Sequence, residues 1–155
     1  MMSNIGGERN VALAQAIATW AHTGQLDKNG YDYIDHPRAV FYRVFADDQW
    51  DYDGQIVAWL HDTLEDTPVC ANDLEAYFPK YIIDAIVAIT FREYLYEHET
   101  RDEYYQRVKT NPIALRVKLH DIAHNTSPKR TAKLDVATQA RLAKKYQHAL
   151  EVLNG

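Results

Sequence analysis

Apolar residues along this chain recur every three or four positions, the spacing of helices, and show no convincing alternation over the length of a strand. Asn10 to Ala21 is rich in alanine and free of breakers, and it sets Leu13, Ile17 and Trp20 on one stripe, which predicts a helix. Gly24 to His36 carries Gly24, Asn29, Gly30 and Asp32 and reads as a loop; Pro37 then suits the first turn of a helix running to about Ala46. A third helix is predicted over Asp53 to Leu64, with Ile56, Leu60 and Leu64 in register and Asp66-Thr67-Pro68 as its stop. Asn72-x-x-Glu75 has the form of a capping box ahead of a short helix ending at Pro79. Tyr81 to Thr90 has a strand-like content of Ile and Val, yet Ile82, Ala85, Ile86 and Ile89 keep helical spacing. Thr100-x-x-Glu103 is a second capping box and opens Arg101 to Thr110, Pro112 begins a helix to about Asn125, and Asp135 caps the last one, to Leu153. The pattern predicts an all-α fold without internal repeats.

Composition adds bounds. With 155 residues, 46% apolar and 25% charged, the chain is expected to form one packed domain over residues 1–155. Its 17 Lys and Arg against 22 Asp and Glu leave a net charge of −5, the wrong sign for coating nucleic acid or an anionic membrane. On its face that balance also counts against a phosphate-bearing ligand. Cys70 is the only cysteine, which excludes a disulfide framework and a CxxC metal knuckle. The first ten residues have no signal-peptide pattern, and no apolar run approaches the ~20 residues needed to span a bilayer, so a cytoplasmic protein is expected.

The chemistry concentrates in Ala58-Trp-Leu-His-Asp-Thr-Leu-Glu-Asp-Thr67. On a continuous helix, His61 with Glu65 and Asp62 with Asp66 are i, i+4 pairs, opposite the Ile56-Leu60-Leu64 stripe. A solvated acidic face accounts for Glu65 and Asp66 equally well, although carboxylates near a helix C-terminus oppose the macrodipole. Two further groups of metal-ligand type stand elsewhere: His36, where a loop enters a helix, and Asp121, on a helix among Ile113, Val117 and Leu119. Two imidazoles and two carboxylates suit Mn²⁺, Fe²⁺ or Zn²⁺, and four protein ligands on an octahedral ion leave two positions open. Such an ion activates water and polarises a phosphoryl oxygen, and Glu65 and Asp66 fall where they can orient or deprotonate the water and protonate a leaving group.

With His36, His61-Asp62 and Asp121 placed, the chain resembles the HD-domain metal-dependent phosphohydrolases, and more closely the RelA/SpoT-type hydrolase branch with its stand-alone form, the small alarmone hydrolases. The matching text is Ala21-His-Thr-Gly-Gln25, Lys28-Asn-Gly30, Tyr33-Ile-Asp-His-Pro37, Trp59-Leu-His-Asp-Thr-Leu-Glu-Asp-Thr67 and Val117-Lys-Leu-His-Asp-Ile-Ala-His-Asn125, with Tyr104-Tyr-Gln-Arg-Val108 and Lys145-Tyr146 like the short members. The resemblance implies a single-domain HD-type helical bundle of about seven or eight helices. It implies an ion, usually Mn²⁺, on His36, His61, Asp62 and Asp121, with Glu65 and Asp66 in water activation. The implied reaction is hydrolysis of the 3′-pyrophosphate of (p)ppGpp to GDP or GTP plus pyrophosphate, without the synthetase domain of the long members. The one partner it implies is a small-molecule nucleotide.

Two positions depart from the family. Asp27 stands where the long enzymes carry an Arg that packs on guanine, which opens a second reading: another nucleotide as substrate, such as (p)ppApp, a dinucleotide cofactor phosphate or a nucleoside monophosphate. His120 replaces a small residue beside Asp121, as a support for that ligand, a surface group or a change of pocket shape. Of the rest, Lys28 is a loop lysine with a phosphate role from its place in the matched loop. Asn125, at i+4 from Asp121, faces the same side and is assigned to substrate. His124 reads as a structural histidine, His22 as a favourable C-terminal cation with a direct site role as the alternative, Arg130 as a phosphate contact or a loop ion pair, and His98 and His148 as surface groups. A nucleotide sensor without turnover is the remaining class, disfavoured by the presence of all six site groups.

Overall fold

Two central helices carry the architecture of the computed structural model, which describes residues 2–91 and 98–155. In chain order the described helices are α1 (Met2–Ala21), α2 (Asp35–Asp47), α3 (Tyr52–Leu60), α4 (Thr63–Asp66), α5 (Ala71–Glu75), α6 (Lys80–Ile89), α7 (Arg101–Lys109), α8 (Pro112–Asn125), α9 (Pro128–Thr131) and α10 (Val136–Asn154). Seven of them run nine residues or more. Helix α3 packs on α1, α2, α6 and α8, while α8 packs on α2, α3, α6, α7, α9 and α10. Every residue of α3 from Gly54 to Leu60 is buried, as expected of a helix enclosed on all sides. Helix α2 touches both central helices, so three elements meet at one end of the core.

Local signals account for most of the boundaries. Thr100 accepts from the Glu103 N–H at 3.2 Å while Glu103 accepts from the Thr100 N–H at 2.8 Å, which is the capping box read from the sequence. Asp135 accepts from the Thr138 N–H at 2.8 Å, and Pro112 sits in the first turn of α8. The Ile-rich segment is the helix α6, in whose last turn the carbonyls of Val87 and Ala88 accept from the Arg107 guanidinium. No described helix is long and apolar enough to cross a membrane.

Four expectations are corrected. Helix α1 begins before Asn10, and Trp20 is 73% exposed; Ala14 and Ala18, wholly buried, make the contact face, their small side chains letting α3 approach closely. The helix expected over Asp53 to Leu64 breaks after Leu60. There His61 Nδ1 donates to the Ala58 carbonyl at 2.7 Å and Thr63 Oγ1 donates to the Leu60 carbonyl at 2.7 Å, so side chains take acceptors that the next turn of amides would use. The box at Asn72 is displaced: α5 starts at Ala71, and Asp73 accepts from the Cys70 N–H at 2.9 Å. Helix α9, a single turn, was not predicted.

The loop between α1 and α2 folds back on itself. Tyr33 N–H donates to the Gln25 carbonyl at 2.9 Å and Asp27 N–H to the Tyr31 carbonyl at 2.8 Å, with Gly30 at φ 83°, where a glycine is favoured. Asp27 Oδ1 accepts from the N–H groups of Asn29 (2.8 Å) and Tyr31 (3.0 Å), closing the turn.

Candidate functional site

His36 opens α2, His61 follows α3, Asp62 precedes α4 and Asp121 lies in α8. Their ligand atoms meet. His36 Nε2 lies 2.9 Å from Asp121 Oδ1 and 3.5 Å from Asp62 Oδ2, and His61 Nε2 lies 3.1 Å from Asp62 Oδ2 and 3.3 Å from Asp121 Oδ1. The two Nε2 atoms are 3.3 Å apart. His36, His61 and Asp62 alone place their ligand atoms within 4.8 Å of one another, and Asp121 Oδ1 joins them through its contacts with both imidazoles.

The surroundings aim these atoms. The outward nitrogen of His61, Nδ1, is tied to the Ala58 carbonyl, which leaves Nε2 for the cluster. His36 Nδ1 lies 2.7 Å from His124 Nδ1. Asp62 Oδ2 accepts from the Tyr33 hydroxyl at 2.7 Å. Asp121 Oδ2 pairs with Lys118 at 2.8 Å, and Asp121 Oδ1 accepts from the Asn125 amide at 3.1 Å. Burial opposes charge on both carboxylates. Lys118 and the two imidazoles outweigh it at Asp121, as His61 and His36 do at Asp62, and both carboxyls stay below the ordinary range. Burial likewise lowers His61, but Asp62 and Asp121 lift it well above an ordinary histidine. The four atoms thus converge on a point that favours positive charge, and the N₂O₂ donor set, supported from outside, fits a divalent transition ion.

Glu65 and Asp66 do not lie on the end of α3. They fall in the separate single-turn helix α4, beyond the break, where the bond from Asp66 N–H to the Asp62 carbonyl at 3.0 Å keeps Asp62 and Asp66 one turn apart. Glu65 Oε1 accepts from the Phe91 N–H at 2.5 Å. Burial and the nearby Asp62 charge push the Glu65 carboxyl up to about 7, and the same causes raise Asp66. A carboxyl poised near neutrality beside a metal-type cluster is suited to proton transfer.

A cleft of about 260 Å³ adjoins the cluster, with Tyr33 and Asn125 in its wall. Lys28 and Arg130 supply positive charge there, Leu26, Leu134, Leu142 and Tyr146 an apolar side, and Asp27 lies 3.7 Å from Arg130. Lys28 and Asn125, both expected at substrate, are thus together in one cleft. A larger groove of about 630 Å³, lined by Leu13, Ile17, Trp20, Leu74 and Tyr77, has none of the metal-type donors beside it except Asp73.

Sequence reasoning missed Tyr33 and Lys118 as supports of the cluster and read His124 as a structural histidine without naming its partner, although each sits in a segment it had singled out. His22 is not exposed at the helix end: it is buried, Nδ1 2.8 Å from Gln25 Oε1, its ring 5.0 Å from Tyr33, with no partner for Nε2 among the described residues. His120 faces Asp47 at 3.4 Å, linking α8 to α2, and His148 pairs with Asp102 at 2.6 Å.

No family model matches the chain. A solved structure described as a metazoan ortholog of SpoT that hydrolyzes ppGpp superposes with a TM-score of 0.79 at 19% identity, covering 94% of this chain and 86% of that one. The fold is that of the HD-type alarmone hydrolases. Among curated proteins, the bifunctional (p)ppGpp synthase/hydrolase SpoT of Escherichia coli (strain K12) is 29% identical over 124 residues, 76% of this chain and 18% of that protein. The guanosine-3′,5′-bis(diphosphate) 3′-pyrophosphohydrolase of Vibrio cholerae is 30% identical over 126 residues, 77% of this chain and 18% of that protein. A GTP pyrophosphokinase of Streptomyces coelicolor is 29% identical over 150 residues, 93% of this chain and 17% of that protein. The chain therefore spans under a fifth of the length of these curated relatives, and its homologues are the SpoT-type alarmone enzymes.

Proposed function

We propose that this chain is a metal-dependent hydrolase of the 3′-pyrophosphate of (p)ppGpp, releasing pyrophosphate and GDP or GTP. The observation that carries this reading is the convergence of His36, His61, Asp62 and Asp121 on one point, beside a cleft whose wall shares Tyr33 and Asn125 with that cluster. The four residues would hold the ion, with Mn²⁺ as the family's usual choice, and a divalent ion supplies Lewis acidity toward water and a phosphoryl oxygen. Glu65 takes a proton from the attacking water, whose oxygen forms a bond to the phosphorus on the 3′-oxygen. As the P–O3′ bond breaks, Asp66 supplies the proton that makes the 3′-hydroxyl. Lys28 and Arg130 offset phosphate charge, Asn125 orients the nucleotide, and the apolar side of the cleft takes the base.

A second reading keeps the site and changes the base. Asp27 lines the same cleft with Oδ1 committed to its own turn and Oδ2 toward Arg130, which leaves no loop guanidinium to lie on guanine as in the resembled enzymes. Both readings are tested by incubating the chain with ppGpp and with ppApp, before and after chelation with EDTA and reloading with Mn²⁺. The expected outcome is pyrophosphate with GDP from ppGpp, lost on chelation and restored by Mn²⁺. Equal or faster cleavage of ppApp moves the assignment to the second reading, and orthophosphate as the product contradicts the chemistry.

A further inference from the structure

We infer that His124 is a positioning residue that fixes the tautomer and direction of His36. The inference rests on the four-donor site proposed above and adds to it a requirement outside the four ligands. His36 and His124 come from positions 88 apart, and their Nδ1 atoms lie at 2.7 Å, with ring centroids 5.0 Å apart and planes inclined by 22°. A hydrogen bond between two imidazole nitrogens needs one N–H and one lone pair. For His36 Nε2 to offer its lone pair to an ion, the His36 proton must sit on Nδ1, and His124 Nδ1 must accept it. His124 then carries its own proton on Nε2. The ring lines a separate cleft, shared with Arg38, Tyr42 and Lys129, rather than the ligand cluster.

The contrast with His61 gives the inference its force. Its Nδ1 donates to a backbone carbonyl, a fixed acceptor that no side-chain substitution removes. The matching acceptor for His36 is a side chain, three residues beyond Asp121 on the same helix. Helix α8 thus supplies one ligand directly and aims another, so a shift of this helix disturbs two of the four donors at once.

The test is calorimetric titration of the full chain with Mn²⁺ alone, for the wild type, His124→Phe and His124→Asn. Phenylalanine keeps a ring of similar shape without an acceptor, whereas the asparagine amide oxygen can stand where Nδ1 stood. The expected result is Mn²⁺ affinity reduced about 10–100-fold in His124→Phe, the range for loss of an outer-shell partner, and largely restored in His124→Asn. Turnover of ppGpp should follow the same order at limiting Mn²⁺ and converge at saturating Mn²⁺. Wild-type affinity in His124→Phe overturns the inference, as does equal loss in both variants, which would assign the effect to packing. A wild type that binds no Mn²⁺ overturns the four-donor reading itself, a distinct outcome. Thermal unfolding of each ion-free protein checks the fold, and His124→Ala replaces His124→Phe if the latter does not fold.

Discussion

Asp62→Ala is expected to lose divalent-ion binding and turnover together. Asp62 Oδ2 receives the Tyr33 hydroxyl at 2.7 Å and lies 3.1 Å from His61 Nε2 and 3.5 Å from His36 Nε2. Removing it takes away a ligand and one of the two negative charges that draw a cation to the cluster, while the Tyr33 hydroxyl loses its acceptor. The fall in Mn²⁺ affinity should exceed the ~10–100-fold that loss of an outer-shell partner costs. Calorimetry and product release measured on one preparation check this; retained turnover without measurable ion binding would contradict the site.

Glu65→Gln separates chemistry from binding. The variant should still bind Mn²⁺, since Glu65 is not among the four donors, yet turn over ~10²–10⁴-fold more slowly, the usual contribution of a positioned acid–base group. Burial and Asp62 push the carboxyl up to about 7, so in the wild type the ionised fraction rises through neutrality and the rate should rise with it. Bound cation favours the carboxylate and moves that limb to lower pH; the variant should lack it altogether. Stability runs the other way. A carboxyl whose pKa is raised by folding from 4.5 to about 7 favours the fold most at pH below the lower value and loses that contribution as pH climbs through the higher one. Ion-free Glu65→Gln should therefore gain in melting temperature over the wild type at about pH 8 relative to about pH 4. A gain that does not depend on pH would mean that Glu65 is not held in the uncharged form.

The features legible in the sequence were those set by contacts between near neighbours. Thr100 with Glu103 and Asp135 mark helix starts through bonds of three residues' reach, Pro112 through its fixed φ, and each appears where it was read. The donor groups that meet were legible too, because few chemistries call for two histidines and two aspartates. The break after Leu60 was not, since helical periodicity continues through it and only the competition of His61 and Thr63 for backbone carbonyls interrupts the helix. Tyr33, Lys118 and His124 were hidden for another reason. Tyr33 and His124 act on groups 29 and 88 positions away, and Lys118, three residues from its partner, resembles any surface lysine until α8 is seen packed among its neighbours. Trp20 misled because size suggested core, where small alanines were what the packing of α1 on α3 required.

The meeting of α2, the α3–α4 turn and α8 has a consequence for the folded state as a whole. An ion held by His36, His61, Asp62 and Asp121 acts as a cross-link between segments far apart along the chain, and the unfolded chain has no equivalent site to offer it. Occupancy is then written into heat resistance: at an ion concentration 100 times Kd the folded state gains about 2.7 kcal/mol, and each further tenfold about 1.4 kcal/mol more. The melting temperature should climb with the logarithm of Mn²⁺ concentration and fall back on chelation, so a simple melt reports the state of the centre without any substrate present.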